Sequence, residues 1–427
     1  MKPTDKSTYR AWAFYDWANS AYSLVISTAI FPIYYGSVTS NDNGNILNVL
    51  GWEVESTAIY AWVIALSFLT VAIISPYLSA LADLSGRKRD YMRNFVILGS
   101  ISCMSMYFFT ENTIVLGLAA AFFASLGFSG SLVFYNAYLP QIAPPEDQDK
   151  LSARGFSLGY IGSSLLLIAL LALISYPEAL GLAGKGQATQ IAFVTVGLWW
   201  LGWSMYPLRV LPHNIYGRKP EKGWAKNAYK ELAQVFGVFR KTKRLGRFVI
   251  SFFFFSCGVQ TTILLATMFG KEVLDVDDEI LIGTVLIIQF VGILGAWSFA
   301  QLSSKIGNIK AIAVAVFIWV AVCIAAYFVQ TTTQFMIIGG VVGLVMGGVQ
   351  ALARSTYSKM LPETKDHTTF FSFYDVAEKL ATTLGTFSVG ILVAFTGDLR
   401  NSALALTAFF LISLIFLFAI PKSKYVY

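Results

Sequence analysis

Over 427 residues the chain is 56% hydrophobic and only 13% charged, far from the balance of a water-soluble domain, which leaves a membrane protein. Its apolar runs are near 20 residues or longer, not the roughly 10-residue alternating segments of a barrel, so the spans are helices. The net charge of +7 would suit nucleic acid, but the basic residues gather in loops assignable to one membrane face, so no nucleic-acid partner is expected.

The first apolar stretch, Ala11 to Tyr35, is long enough to cross a bilayer yet holds Asp16 and Asn19 in its first turns. An acid within it and no small-residue cleavage site behind it argue against a cleavable signal peptide. A carboxylate at membrane depth faces a polar path or a partner rather than lipid. Asp16 is therefore expected to gate or to carry protons. The alternative is an acid about one turn from the membrane face that snorkels and pairs with a cation.

Twelve apolar runs lie between charge clusters, at about 11–36, 57–82, 91–110, 113–139, 152–175, 189–211, 247–270, 279–303, 310–330, 333–359, 367–396 and 401–420. They divide into an N-terminal six-helix bundle over 1–211, a linker over 212–246 and a C-terminal six-helix bundle over 247–427. Loop charge orients them. The Arg87, Lys88, Arg89 and Arg93 cluster, the basic residues of 218–247, and Lys2, Lys305, Lys359, Lys422 and Lys424 share one side, whereas the other side's loops hold mainly acids such as Glu53, Glu111 and Asp275. By the positive-inside rule both termini are cytoplasmic. The membrane is read as a bacterial inner membrane, or a vacuolar one in a eukaryote.

Cys103, Cys257 and Cys323 fall in separate apolar segments without paired spacing, so no disulfide, metal or cofactor is expected. In the linker, Ala225, Tyr229, Leu232, Phe236 and Phe239 recur at helical spacing, with Lys222, Lys226, Lys230 and Arg240 between them. This predicts an amphipathic helix on the cytoplasmic surface that takes anionic lipid as its partner rather than a calmodulin-like protein.

The two halves also resemble each other. Leu81-Ala-Asp83-Leu-Ser-Gly86 matches Leu302-Ser-Ser304-Lys-Ile-Gly307, and Tyr135-Asn-Ala-Tyr-Leu139-Pro140 matches Tyr357-Ser-Lys-Met-Leu361-Pro362, at nearly one offset. Such a repeat implies two bundles with a solute site between them. Asp83, Gly86, Arg87 and Lys88 form an acid, a turn glycine and basic side chains that can pair across the bundle interface as a breakable latch. The plainer alternative is a basic loop that only sets topology.

Ser79-Ala-Leu-Ala-Asp83-Leu-Ser-Gly86-Arg87-Lys88-Arg89 resembles the loop signature of the major facilitator superfamily, with Ser79 in place of its leading glycine. In the second half Ser304 and Asn308 replace the acid and the arginine, so a matching latch there is expected to be weak. Phe14-Tyr-Asp16-Trp-Ala-Asn19-Ser-Ala-Tyr22, Tyr135-Asn136-Ala-Tyr-Leu-Pro140, Leu151-Ser-Ala-Arg154-Gly-Phe and Gly347-Gly-Val-Gln350-Ala-Leu-Ala-Arg354-Ser resemble the branch related to the autophagic vacuolar effluxers. The resemblance implies the twelve-helix all-α major facilitator fold and, from fungal members, export of amino acids. It also brings Arg154 into the gate set.

Counting 1.5 Å per residue from the helix ends puts Tyr22, Ser23, Ser163, Ser164, Gln260, Gln289, Gln350, Glu378 and Lys379 near mid-bilayer. Of these, Tyr22, Ser23, Gln260, Gln289, Gln350 and Lys379 are the candidate binding residues for a small solute, with Asp16 and Glu378 as proton carriers. Asn136, Arg354 and Asp375 lie nearer the cytoplasmic face and read as gate residues, or as static pairs. Asp375 sits one turn before Lys379, the favourable order for an i,i+4 pair. An enzyme is not expected, because His213 and His367 are the only histidines, both in loops, and neither HExxH nor a nucleophile elbow occurs. The expected function is a monomeric secondary transporter of a zwitterion such as an amino acid. A lipid or amphipathic-drug exporter and a non-transporting receptor are the alternatives.

Overall fold

The computed structural model describes residues 5–40, 46–49, 52–219, 224–396 and 398–421; Lys2, Asp42, Lys222, Lys422 and Lys424 lie outside them. Among the described residues eleven helices are long and apolar enough to cross a membrane. The spans, numbered by position, are Lys6–Thr39, Ser56–Ser85, Lys88–Ser105, Ile114–Asn136, Pro145–Ser175, Lys185–Val210, Lys243–Glu272, Asp278–Ile306, Asn308–Tyr327, Thr332–Met360, His367–Thr396 and Leu399–Phe418. The third falls short on hydropathy because Lys88, Arg89, Asp90 and Arg93 open it. It nevertheless packs along the fourth and sixth spans, and the fold is all-α and polytopic.

One apolar core runs through the first six spans, from Trp12 to Leu211, and a second through the last six. The halves meet where the second span packs on the eleventh and the fifth on the eighth and tenth. Without water to drive helices together, close packing depends on small residues. A methyl at Gly155, Gly159 or Gly162 of the fifth span would strike Asp16, Ser20 or Trp17 of the first. In the second half, Gly343 and Gly347 lie against the backbone of Ile288 and Gly292.

Four helix ends share one face, here the linker face. Asp83 ends the second span beside Thr369 of the eleventh, and Asp149 of the fifth reaches Lys359 of the tenth. Gly86 closes the second span in the left-handed region at φ 69°. A side chain is strained there, and a Cβ would also strike Asn214.

Within the first span, residues Tyr22–Ile30 take a wider i→i+5 helical winding before Pro32 opens a further α-helical segment. Such bulges bend a helix and are frequent at functional sites. On the face away from the linker, Ile46–Val49 pairs antiparallel with Trp52–Glu55, Ile46 opposite Glu55. Tyr35 Oη ties this end of the first span to the Ser56 carbonyl at 3.0 Å.

The linker forms the expected helix, Trp224–Lys241. It lies on protein, packed on the second, seventh and eleventh spans. Among its described side chains Ala228, Glu231 and Val235 are the buried ones, whereas Tyr229 is 70% exposed and Phe236 is 55% exposed. The protein-facing side is therefore rotated from the apolar stripe read in the sequence. Tyr229 and Phe236 still touch Tyr77 and Phe373 at their edges, with ring centroids 5.1 and 6.4 Å apart.

Candidate transport site

A cavity of about 290 Å³ lies between the halves. The widened winding of the first span supplies Ser23, Leu24 and Thr28, and the span before it Asp16, Asn19 and Ser20. From the second half come Gln260, Gln289, Gln350, Glu378 and Lys379, with Phe252 and Phe255 as apolar wall. Gln260 Nε2 donates to Glu378 Oε1 at 3.1 Å, and Tyr160 Oη donates across the halves to Gln350 Oε1 at 3.1 Å. Lys379 Nζ stands 3.9 Å from Asp375 Oδ1 and 5.0 Å from the centre of the Phe68 ring. At that distance the pair is loose, and the ammonium still borders the cavity.

Beneath the cavity, toward the linker face, one buried cluster joins the halves. Asp16 Oδ2 accepts from Arg354 Nη1 and Nη2 at 3.2 and 3.1 Å and from Tyr135 Oη at 2.8 Å. Arg354 Nε donates to Ser152 Oγ at 2.9 Å, its Nη2 to the Ser152 carbonyl at 2.9 Å, and its Nη1 to Asn136 Oδ1 at 3.4 Å. A guanidinium has five N–H donors, so Arg354 has none left for a solute. Its faces lie 4.7 Å from Trp12 and 4.3 Å from Phe156, a further cation–π hold.

At the linker face, Asp83 Oδ2 accepts from the Thr369 backbone N–H at 2.8 Å and from Thr369 Oγ1 at 3.0 Å. Thr369 lies in the first turn of the eleventh span, whose amides are unpaired and whose dipole favours an acid. Lys88 is buried, 3.6 Å over the Tyr138 ring, and donates to the Gln141 side chain. Asp149 accepts from Ser303 at 2.9 Å and Asn308 at 2.8 Å and pairs with Lys359 at 2.7 Å.

The profile of the family described as "Vacuole effluxer Atg22 like" matches residues 4–425. This chain belongs to that family. An uncharacterised MFS-type transporter of Bacillus subtilis, YxiO, is 31% identical over 413 residues, covering 96% of this chain and 94% of that one. Autophagy-related protein 22 of Saccharomyces cerevisiae is 24% identical, over 82% of this chain and 75% of its own. In fold the chain resembles the major facilitator transporter FucP in its outward conformation, with a TM-score of 0.71 at 11% identity, 98% of this chain and 99% of FucP being covered. A bacterial homologue of the iron transporter ferroportin, outward-facing, gives 0.68 at 12% identity over 97% and 98%. The chain is thus an integral-membrane major facilitator transporter and not an enzyme.

In this Atg22-like chain the structure rearranges part of the expected site. Tyr22 is 4% exposed and packs on Phe128 and Trp200 at 5.0 and 5.8 Å, inside the first core and off the cavity wall. Its neighbour Ser23, about 100° around the helix, lines the cavity instead. Ser163 is on the cavity, whereas Ser164 is buried outside it. Arg87 is exposed and Lys88 takes its place as the buried cation of the latch. Arg154 is exposed and stands outside the Asp16–Arg354 cluster. Asp375 is buried behind Lys379 and away from the cavity wall.

The second half's latch is also stronger than its motif implied. Asn308 stands where the motif has arginine, yet it works as a donor, because the acid comes from Asp149 across the interface. Asp149 was missed. Its signal in the sequence is an acid in the first turns of the fifth span, next to Glu146 and Asp147, where a helix N-terminus accounts for acids without further cause.

Proposed function

We propose that this transporter moves a small zwitterion, an amino acid in the simplest case, out across the membrane by alternating access with proton coupling. The observation that carries the reading is the cavity between the halves that presents Glu378 and Lys379, an acidic and a basic group, among amide and hydroxyl side chains. Its volume of about 290 Å³ lies just below the usual range of ligand pockets, roughly 300–1,000 Å³. That favours a small solute over a lipid or an amphipathic drug.

The polar contacts between the halves run from the linker face up to Tyr160 and Gln350, which reads as a state closed on that side. Positive-inside charge makes it the cytoplasmic side, with both termini there, in a bacterial cytoplasmic membrane. The working unit is a monomer, with a six-helix bundle over 1–211 and another over 247–427. Asp16 Oδ2 carries the latch while Oδ1 has no partner among the described residues, and the residue borders the cavity. A proton carrier needs that access, and Glu378 has it too. The exposed Tyr229 and Phe236 edge of the linker helix, beside Lys230, suits anionic lipid.

Counterflow in liposomes tests the reading. Labelled amino acids should accumulate transiently against unlabelled solute inside. Absence of counterflow for any amino acid would refute the substrate class, and its absence for every small solute would point to a receptor.

A further inference from the structure

Three carboxylates from three separate parts of the chain converge at the linker face. Asp83 comes from the second span, Glu231 from the linker helix and Asp366 from the segment before the eleventh span, with carboxylate oxygens within 4.8 Å of one another. Thr369 Oγ1 sits between two of them, 3.0 Å from Asp83 Oδ2 and 2.9 Å from Glu231 Oε1. A threonine hydroxyl has one proton to donate. It satisfies one of these oxygens; the other contact is a hydrogen bond only when that carboxyl brings a proton of its own. The Thr369 backbone N–H already serves Asp83 at 2.8 Å. Asp83 is thus the ionised member and Glu231 the one with a proton to give.

Charge leads to the same count. Around Glu231 stand Asp83 and Lys88 from the second and third spans, Asp366 and His367 at the start of the eleventh, and Arg218 from the linker. Arg218 is taken by Asp366 at 2.6 Å, and Lys88 faces Asp83. Lys219 and Lys230 line the adjoining cleft but are exposed to water; against the two cations set among the three acids, one negative charge is left uncompensated in a buried place, and one bound proton removes it.

We propose that the state closed on the linker face holds one exchangeable proton on Glu231, shared through Thr369 with Asp83, and that undocking of the linker helix releases it to the cytosol. A cleft of about 440 Å³ bordered by Glu231, Asp366, Arg218, Lys219 and Lys230 gives that proton its route to water. The site is separate from the cavity acids Asp16 and Glu378, and it makes the linker helix part of the gate. Only its consequence for transport rests on the alternating-access reading.

Burial, with Asp366 and Asp83 beside it, raises the Glu231 carboxyl to about 8. Once the halves part and Glu231 meets water, its value returns toward the ordinary 4.5. The closed state therefore binds more protons between those values and is favoured as pH falls through about 8. For one proton the closed-to-open ratio changes about tenfold per pH unit in that window.

The test uses the full chain in liposomes of neutral lipid, with Cys103→Ala, Cys257→Ala and Cys323→Ala and a reporter at Ala137→Cys, a fully buried position between the halves. An impermeant maleimide applied from the linker side reads opening. Relative to Glu231→Gln at the same pH, labelling should rise about tenfold per unit from about pH 5 to 8. Glu231→Gln should stay closed and flat, Thr369→Ser should keep the slope and Thr369→Val should lose it. Infrared spectra of the parent protein should show a protonated-carboxyl band that disappears above about pH 8 and is missing in Glu231→Gln. The same slope in Glu231→Gln, a flat parent protein, or no such band would overturn the proposal. A slope that needs added calcium or magnesium would replace the proton by a divalent cation. These readouts require no solute, so their failure is distinct from failure of the amino-acid reading.

Discussion

One carboxylate oxygen of Asp16 accepts both terminal nitrogens of Arg354, 338 residues away in the chain, and so ties the first span to the tenth. Both groups are buried. Removing one partner leaves an unpaired buried charge, which costs about 3–5 kcal/mol. Arg354→Gln is expected to lower the thermal midpoint strongly and to open the linker face to maleimide. Asp16→Asn should do the same, and the double change should recover part of the loss. Additive losses in the double mutant, measured by thermal unfolding, would show that the two residues do not act as a pair.

Gly155 makes that pair possible. A Cβ at this position would strike Asp16 Oδ2 and stand 3.0 Å from Arg354 Nη2, and neither group can give way without losing hydrogen bonds. Gly155→Ala is therefore expected to cost about 1–3 kcal/mol and to raise linker-side labelling. Gly186 has open space around it, so Gly186→Ala serves as the control and should change neither reading. Equal behaviour of the two variants would remove the latch from the role argued for Gly155.

Much of this was legible in the sequence because charge in an apolar run is conspicuous. Asp16, Arg354, Glu378 and Lys379 stand out on cost alone, and the even span count follows from loop charge. Pairing was harder to read. Nothing local to Asp16 or Arg354 says that they meet, and nothing near Asp149 says that Ser303, Asn308 and Lys359 supply its partners. Other misses turned on a single residue step. Tyr22 and Ser23 differ by one residue, and one step of about 100° in helix phase decides which faces the core; Arg87 and Lys88 differ by one residue too, but there Arg87 caps the third span and Lys88 is its first helical residue. The widened winding at Tyr22–Ile30 shifts that phase further.

The exchange of Arg87 for Lys88 in the linker-face latch has its own consequence. Lys88 Nζ rests on the Tyr138 ring and is held by Gln141 and the Ala137 carbonyl, whereas Arg87 is exposed. Lys88→Gln should weaken closure and raise linker-side accessibility several-fold, by a loss on the order of 1–2 kcal/mol. Arg87→Gln should stay within about 0.5 kcal/mol. Asp83→Asn should resemble Lys88→Gln, because it weakens the bonds to Thr369. A larger effect at Arg87 than at Lys88, measured by maleimide labelling at one reporter site, would restore the pairing expected from the motif.

Lys379 and the acids around it decide the substrate reading. Its ammonium borders the cavity but stands 3.9 Å from Asp375, and Asp375 Oδ2 is buried without a partner. Lys379 thus has capacity for a solute carboxylate while it also neutralises Asp375. Lys379→Ala should lower both solute affinity and stability, since it removes a charge-assisted bond from the cavity and strands Asp375. Lys379→Ala with Asp375→Ala separates the two effects. Stability should return and uptake should not, whereas return of both would leave Lys379 a structural partner only. Glu378 adds a separate expectation. Gln260 already donates to Glu378 Oε1, and Glu378→Gln keeps the shape while removing the titratable group. Solute exchange, which needs no net proton step, should survive, and accumulation driven by a pH gradient should be lost. Unchanged pH-driven accumulation would take Glu378 out of coupling and leave Asp16, which also borders the cavity, as the carboxylate to test next.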